Sequence, residues 1–189
     1  FWKPIVTIGF QKDDKIAIIS DNIPETLYMA IGAQAVGGIS SAIYQTSLPP
    51  EIGGILNYLG VTIVFCNDQE QVDKVVEIRD TIPQVKRVIY EDPRGMREYR
   101  NDPWFLFIDE LYNLGEEQHQ AEPTRFQSLV DAGKPDGVCH LCLTSGTTGL
   151  PKGAMLSHRN SINMGLQITK VDPLEETDEY LSFLPFAWI

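Results

Sequence analysis

The chain has 189 residues, of which 43% are apolar and 10% aromatic, enough to build the core of one sizeable globular domain. The 15 Lys and Arg residues against 26 Asp and Glu residues give a formal net charge of −11, which argues against a nucleic-acid partner, because such binding relies on clustered positive charge. Apolar runs are far shorter than the roughly 20 residues that span a bilayer, and no secretory signal pattern opens the chain. We therefore expect a soluble, cytoplasmic protein that acts on small molecules.

Residues 1–90 alternate between short apolar runs and helix-like stretches. Strands are predicted over 15–20, 39–44, 61–66 and 85–90, and helices over 24–37, 49–59 and 69–81. Pro24 and Pro49 fit first helical turns, and Gly37 with Gly38 provides a stop after the first helix. This alternation predicts an α/β fold with a largely parallel sheet covered by helices, in which ligands bind beyond the carboxyl ends of the strands.

The second half of the chain is predicted to be less uniform. Residues 91–135 are rich in Pro, Arg and Glu and are expected to form an irregular excursion, relieved by an apolar run over 104–108 and a helical run over 109–114. Residues 136–189 are expected to supply a strand, a Ser/Thr/Gly loop, a strand near 154–156, a helix capped by Ser157, and a last strand over 179–185. The two ends of the chain are abrupt, which predicts a piece of a longer protein.

Cys139 and Cys142 form a C-x-x-C spacing that has two interpretations, a redox or zinc pair and an ordinary strand. A zinc site needs four ligands, and no second pair exists, while His119 and His158 stand alone in the sequence. Three cysteines in all do not make a disulfide framework and fit a reducing compartment. We therefore interpret the cysteines as residues of a buried strand, and His158 as a capping or solvent-facing residue.

The sequence TSGTTGLPKG over 144–153 has the composition of a loop that holds phosphates. Gly146 and Gly149 allow the backbone to turn and bring N–H groups close to an anion. Hydroxyl groups come from Thr144, Ser145, Thr147 and Thr148, and Lys152 adds a positive charge. The P-loop pattern G-x-x-x-x-G-K-S/T is not met, because Pro151 stands where it requires glycine. The alternative is an ordinary Ser/Gly-rich surface loop.

The same ten residues match S/T-S/T-G-S/T-S/T-G-x-P-K-G at every fixed position, and so resemble the phosphate loop of the adenylate-forming superfamily. The order of elements resembles the N-terminal part of long-chain fatty-acid–CoA ligases over nearly the whole chain. The segments that carry this resemblance are KDDKIAIISDN at 12–22, GGISSAIY at 37–44, LSHRN at 156–160 and LSFLPFAWI at 181–189. The resemblance implies a partial N-terminal AMP-binding domain over 1–189, with the C-terminal domain absent.

The implied activity is the ATP-dependent conversion of a carboxylic acid to an acyl-adenylate and then to a CoA thioester, with Mg²⁺ accompanying ATP. The resemblance gives the phosphate-binding role to Thr144, Ser145, Gly146, Thr147, Thr148, Gly149 and Lys152. It also makes Thr147 a candidate contact of the magnesium shell, although that hydroxyl could equally bind phosphate. The family's adenylation lysine falls outside this sequence, so the catalytic residue is unknown and we predict that the chain alone is inactive.

Phe186 and Trp188 are predicted by the resemblance to line the acyl and nucleotide pocket. Many relatives carry histidine where Trp188 stands, and an indole there would change the shape of the pocket. Both residues could equally be ordinary core aromatics. An aryl-CoA ligase, an adenylation domain that loads a carrier protein, and a non-catalytic nucleotide-binding module are the alternative functions. Peripheral membrane contact through a local hydrophobic patch is compatible with the sequence.

Overall fold

The computed structural model describes residues 4–144 and 152–188. In this part of the chain seven strands form one sheet: β1 (Lys15–Ile19), β2 (Ile39–Ala42), β3 (Ile63–Cys66), β4 (Arg87–Tyr90), β5 (Phe105–Phe107), β6 (Val138–Thr144) and β7 (Lys152–Ser157). The helices of the same residues are α1 (Pro24–Ala35), α2 (Pro49–Leu59), α3 (Gln69–Glu77), α4 (Ile108–Ala121), α5 (Arg125–Asp131) and α6 (His158–Val171). Short 3₁₀ helices cover Pro4–Ile8, Arg79–Thr81, Met96–Glu98 and Phe186–Trp188. None of the described helices has the length and apolar composition of a bilayer-crossing segment.

The strands are ordered β5-β4-β3-β1-β2-β6-β7, and neighbours are parallel except for β6 and β7, which are antiparallel. From β1 the chain moves to β2 on one side and then returns past β1 to β3 on the other. This reversal is the topological switch of doubly wound folds. The predicted α/β fold with a largely parallel sheet is confirmed. Because β1 to β6 point the same way, their carboxyl ends meet at one edge of the sheet, here called the carboxyl edge.

The central strands are buried on both faces. Along β3, Val64 and Cys66 belong to a core cluster with α2 and α3, while Ile63 and Phe65 belong to a second cluster with α1 and α4. Each of these four side chains is at most 2% exposed. Two-sided burial explains why the strands appear in the sequence as continuous apolar runs rather than as alternating patterns.

Two helix ends show how local sequence sets the boundaries. After α1, Gly37 has φ +84°, and a Cβ on Gly38 would lie 2.2 Å from the Phe10 ring, so the predicted Gly-Gly stop is confirmed. Before α6, the Ser157 hydroxyl oxygen accepts the N–H of Asn160 at 3.2 Å, and Asn160 Oδ1 accepts the N–H of Ser157 at 3.0 Å. This capping box confirms Ser157 as the predicted cap.

The segment 91–135 is more regular than the sequence predicted. It contains β5, which pairs in parallel with β4 from Val88–Phe105 to Tyr90–Phe107 and extends the sheet. It also contains α4, which is longer than the predicted run over 109–114, and α5. The prediction of irregular structure was therefore wrong over 105–131. Its prolines lie in the connections between these elements, and many of its charged residues lie on exposed helix faces, so composition there does not reflect irregularity.

Residues 179–185 form no strand, so the prediction of a last strand was wrong. Backbone groups at 182, 184 and 186 bond to the side chain of Asn22 instead of to a neighbouring strand. Tyr180, Leu181 and Phe183 are 85%, 78% and 71% exposed. The apolar pattern of this segment is therefore not matched by burial within the described part of the chain.

Candidate functional site

The Ser/Thr/Gly loop connects β6 to β7. The two residues that flank it, Thr144 and Lys152, are cross-strand partners, and Thr144 Oγ1 donates a hydrogen bond to the carbonyl oxygen of Lys152 at 3.2 Å. Both side chains are exposed. This pairing holds the two ends of the loop about 5 Å apart, the separation of neighbouring strands. The predicted phosphate-binding residues within the loop, Ser145, Gly146, Thr147, Thr148 and Gly149, lie outside the described residues.

The loop begins at the carboxyl edge of the sheet. Strand β6 runs parallel to β2, with Ser40 opposite His140, and therefore ends on the same edge as β1 to β5. Open α/β sheets bind their ligands at this edge. The structure therefore places Thr144 and Lys152 where the sequence predicted a ligand.

Charged side chains of both signs lie along the carboxyl edge. Beyond β4, burial raises the pKa of Glu91, and the nearby carboxylates of Glu25 and Asp92 raise it further. Beyond β3, Asp68 caps α3. Lys152 stands toward the other end of the edge, beside the end of β6. Cations accompany these carboxylates, because Arg94 pairs with Asp92, and Lys74 pairs with Glu70 and donates to the carbonyl oxygen of Gln45 beyond β2. Lys152 pairs with none of the carboxylates among the described residues.

Asn22, which follows β1 at the carboxyl edge, holds residues 182–186 against that edge. Its Nδ2 donates to the carbonyl oxygens of Ser182 at 3.0 Å and Leu184 at 2.6 Å, and contacts the Ser182 hydroxyl at 3.1 Å. Its Oδ1 accepts the N–H of Phe186 at 3.1 Å. Sequence reasoning missed this residue. The available signal was a polar residue directly behind a buried strand at the topological switch.

The structure separates the two aromatic residues predicted to line a pocket. Phe186 is half-buried, packs against the core cluster on the α1 side, and meets the His140 ring edge to face with centroids 6.2 Å apart. Trp188 is 65% exposed. Phe186 therefore fits either a pocket wall or a core position, while Trp188 is not a core residue of the described part.

His140 lies beneath Phe186 in a buried polar network. Its Nδ1 is 2.9 Å from the Ser40 hydroxyl, which also accepts a hydrogen bond from Gln34 Nε2 at 2.8 Å. Burial lowers the pKa of His140 and so favours the neutral imidazole. Because side chains alternate along a strand, His140 and Thr144 point to the same face of β6. Phe186 therefore lies on the same face of the sheet as the side chain of Thr144, which precedes the loop.

Both cysteines of the C-x-x-C spacing lie on β6 as free thiols, as the interpretation of a strand predicts. Cys139 is buried, and its Sγ lies 3.7 Å from the Ser161 hydroxyl of α6, whereas Cys142 is partly buried. Within residues 4–144 and 152–188, no group of three or more His, Cys, Asp and Glu side chains could hold a metal ion. His158 begins α6 after the far end of β7, at the edge of the sheet opposite the loop. It is half-buried, and the capping role belongs to Ser157.

A doubly wound α/β sheet whose carboxyl edge carries the two flanks of a Ser/Thr/Gly loop, Thr144 and Lys152, is typical of nucleotide-binding domains. A sequence model described as AMP-binding enzyme matches residues 5–189, and the chain belongs to this family. The resemblance to the adenylate-forming superfamily is thereby confirmed.

Known relatives agree with this assignment. The long-chain-fatty-acid–CoA ligase ACSBG1 of Bos taurus is 33% identical over 192 residues, covering 99% of this chain and 26% of the relative. The long chain acyl-CoA synthetase 8 of Arabidopsis thaliana is 27% identical over 190 residues, covering 100% of this chain and 26% of the relative. The chain therefore spans about a quarter of the length of these relatives.

The fold is also found among solved structures. The acetoacetyl-CoA synthetase from Streptomyces lividans superposes with a TM-score of 0.73 at 19% identity, covering 97% of this chain and 28% of that one. At this identity the likeness shows the fold alone, and it confirms the α/β class predicted from the sequence.

Proposed function

We propose that this chain is part of an AMP-forming acid–thiol ligase that activates a long-chain fatty acid with ATP and transfers it to CoA. The observation that carries the proposal is the position of the TSGTTGLPKG loop, whose flanks Thr144 and Lys152 are paired at the carboxyl edge. The name of the Bos taurus relative, a long-chain-fatty-acid–CoA ligase 33% identical to nearly the whole chain, supports the acid class.

The proposed reaction needs no protein nucleophile. In the first step a carboxylate oxygen attacks the α-phosphorus of ATP. The bond from that phosphorus to the oxygen that bridges the α- and β-phosphates breaks, and pyrophosphate leaves. In the second step the CoA sulfur attacks the acyl carbon, its proton is released, and the bond to the AMP oxygen breaks. The protein therefore contributes by positioning the reactants and neutralising phosphate charge.

Residues of the loop would supply that neutralisation. The hydroxyls of Ser145, Thr147 and Thr148, together with backbone N–H groups freed by Gly146 and Gly149, would hold the β- and γ-phosphates and the leaving pyrophosphate. Lys152, exposed at the start of β7, would reach the same oxygens with its ammonium group. Thr144 would fix the start of the loop, because its hydroxyl already bonds to the backbone of Lys152.

Magnesium would accompany ATP, but the described residues do not by themselves form a site for it. Residues 4–144 and 152–188 contain no cluster of three or more His, Cys, Asp and Glu side chains suited to a metal, and the Thr144 hydroxyl is engaged. We therefore assign no step to the metal. Thr147, outside the described residues, stays our proposed contact of the magnesium shell on the basis of the loop pattern.

We further propose that this chain alone completes neither half-reaction. It spans about a quarter of the length of its curated relatives, and the family resemblance assigns the adenylation lysine to a part of those relatives that this sequence does not match. Lys152 would not replace that lysine, because its position at the loop flank suits phosphate binding. The full-length protein would act in the cytoplasm on ATP, fatty acid and CoA, without nucleic acid, and with peripheral membrane contact as a source of substrate.

The test is carboxylate-dependent exchange of labelled pyrophosphate into ATP. The full-length protein would be assayed with long-chain fatty acids, aryl acids and amino acids, with this chain as the control. We expect exchange with long-chain fatty acids by the full-length protein and none by this chain. Exchange with an aryl acid or an amino acid alone would assign the protein to an aryl-CoA ligase or a carrier-loading adenylation domain. No exchange with any acid would favour a non-catalytic nucleotide-binding module.

A further inference from the structure

A single exposed side chain, Asn22, joins two distant parts of the chain. Its partners at Ser182, Leu184 and Phe186 are 160 to 164 residues away in sequence. Within residues 4–144 and 152–188, the long-range hydrogen bonds of the segment 179–186 all end on this carboxamide. Without it, the segment would be held mainly by the packing of Phe186.

The carboxamide is chemically matched to this task. Its NH₂ group donates to two backbone carbonyl oxygens while its oxygen accepts one backbone N–H, so both ends of the group are used. A carboxylate would keep the acceptor for Phe186 but would place an oxygen against the carbonyls of Ser182 and Leu184. A methyl group would replace none of these bonds. The position therefore requires an amide.

The anchored segment leads directly to the proposed site. The segment continues into the 3₁₀ helix Phe186–Trp188, which lies against β2. In the sheet, β2 is the strand between β1 and β6. The Phe186 ring meets His140 on β6, and His140 shares its face of the strand with Thr144, about 13 Å further along. The segment thus crosses from the end of β1 toward the strand that carries the phosphate loop.

We propose that Asn22 is a positioning residue of the ligase, which fixes residues 182–186 so that Phe186 and the chain after it form one wall of the acyl pocket beside the phosphate loop. The effect of Asn22 on catalysis rests on the proposed function. The anchoring itself rests only on the geometry of the described residues.

The experiment compares Asn22→Ala and Asn22→Asp with a matched control, Asn57→Ala, in the full-length protein. Asn57 is also exposed and donates its Nδ2 to a distant backbone carbonyl, that of Thr81 at 2.9 Å, but it lies on α2. Three quantities are measured: amide hydrogen exchange of residues 182–184 and 186, and kcat and KM for a long-chain fatty acid. The N–H of Phe186 is the most direct reporter, because Asn22 is its acceptor.

We expect Asn22→Ala to speed exchange of the Phe186 N–H, because that group loses its acceptor. Both variants should raise KM for the fatty acid about tenfold, because Asn22→Asp keeps that acceptor but loses the donors to Ser182 and Leu184. Asn57→Ala should change none of these quantities. Unchanged protection of the Phe186 N–H in Asn22→Ala would overturn the anchor. Lost protection with unchanged kcat and KM for the acid would overturn the positioning role. If the wild-type protein activates no acid, the proposed function and the positioning role both fall, while amide exchange still decides the anchor.

Discussion

Thr144 and Lys152 form the last cross-strand pair of the β6–β7 hairpin, with the hydroxyl of the first bonded to the carbonyl of the second. The backbone of the lysine is therefore held by the sheet, while its side chain remains exposed. A cation carried on a strand end is better fixed in place than one carried within a loop. This relationship makes Lys152 the described residue at which the proposed nucleotide binding is most directly testable.

Replacing Lys152 by alanine in the full-length protein should lower kcat/KM for ATP by about 10- to 100-fold, because the positive charge proposed to neutralise the phosphates is lost. Pyrophosphate exchange at varied ATP concentration measures this. Lys134→Ala is the matched control, since Lys134 is also exposed but precedes β6 at the opposite edge of the sheet. Equal activity of the two variants would contradict a phosphate role for Lys152.

The buried imidazole of His140 predicts an acid-sensitive fold. Its folded-state pKa is lowered by burial from an ordinary value of 6.5, so the unfolded chain takes up the proton first. Its stabilising contribution is then complete above about pH 6.5 and is lost as the pH falls toward the folded pKa. Urea unfolding between about pH 5 and 8 should show this loss, and His140→Gln should flatten that part of the curve. An identical pH dependence in the variant would be the contrary result.

Removal of the Ser157 cap of α6 should reduce stability. Ser157→Ala should lower the free energy of unfolding by about 0.5–2 kcal/mol, because the N–H of Asn160 loses its acceptor. Chemical denaturation gives the value. Thr169→Ala, on the same helix near its exposed end, should have a much smaller effect, and a similar loss in both variants would show that the cap is not the cause.

The side chain of Trp104 makes a buried hydrogen bond whose loss should lower the free energy of unfolding. Its Nε1 donates to the carbonyl of Val85 at 2.9 Å in a buried environment, and the Arg79 guanidinium lies 4.4 Å from the ring centroid. Trp104→Phe should leave that carbonyl unpaired and lower the free energy of unfolding by about 1–3 kcal/mol. Tyr58→Phe, at a 63% exposed side chain, is the control and should be nearly neutral in the same denaturation measurement.

The first 90 residues were predictable because local chemistry and burial agree there. Continuous apolar runs such as the one ending at Ile19 are buried on both faces, and Pro24 and Gly37 mark helix ends that tertiary packing leaves in place. The three residues of β5 were recognised only as an apolar run, because joining the sheet beside β4 is a tertiary event that composition does not reveal.

The site was only partly predictable for a similar reason. Thr144 and Lys152 lie in a contiguous pattern, and their location at the carboxyl edge follows from strand order. Asn22 is distant in sequence from its partners, so its role depends on a docking that no local pattern encodes. Residues 179–185 have the composition of a strand, but strand formation requires a neighbour, and here their bonds go to a side chain.

The pairing of β6 with β2 has a kinetic consequence. Ser40 and His140 are 100 residues apart, whereas β1 pairs with β2 across a single helix. Closing so long a stretch of chain costs more conformational entropy than forming local strand–helix–strand units, and it is therefore slower. We therefore expect the sheet from β5 to β2 to assemble first and β6 to join it afterwards. The loop that would bind ATP is then completed late, so a newly made chain acquires its core before it can hold a nucleotide.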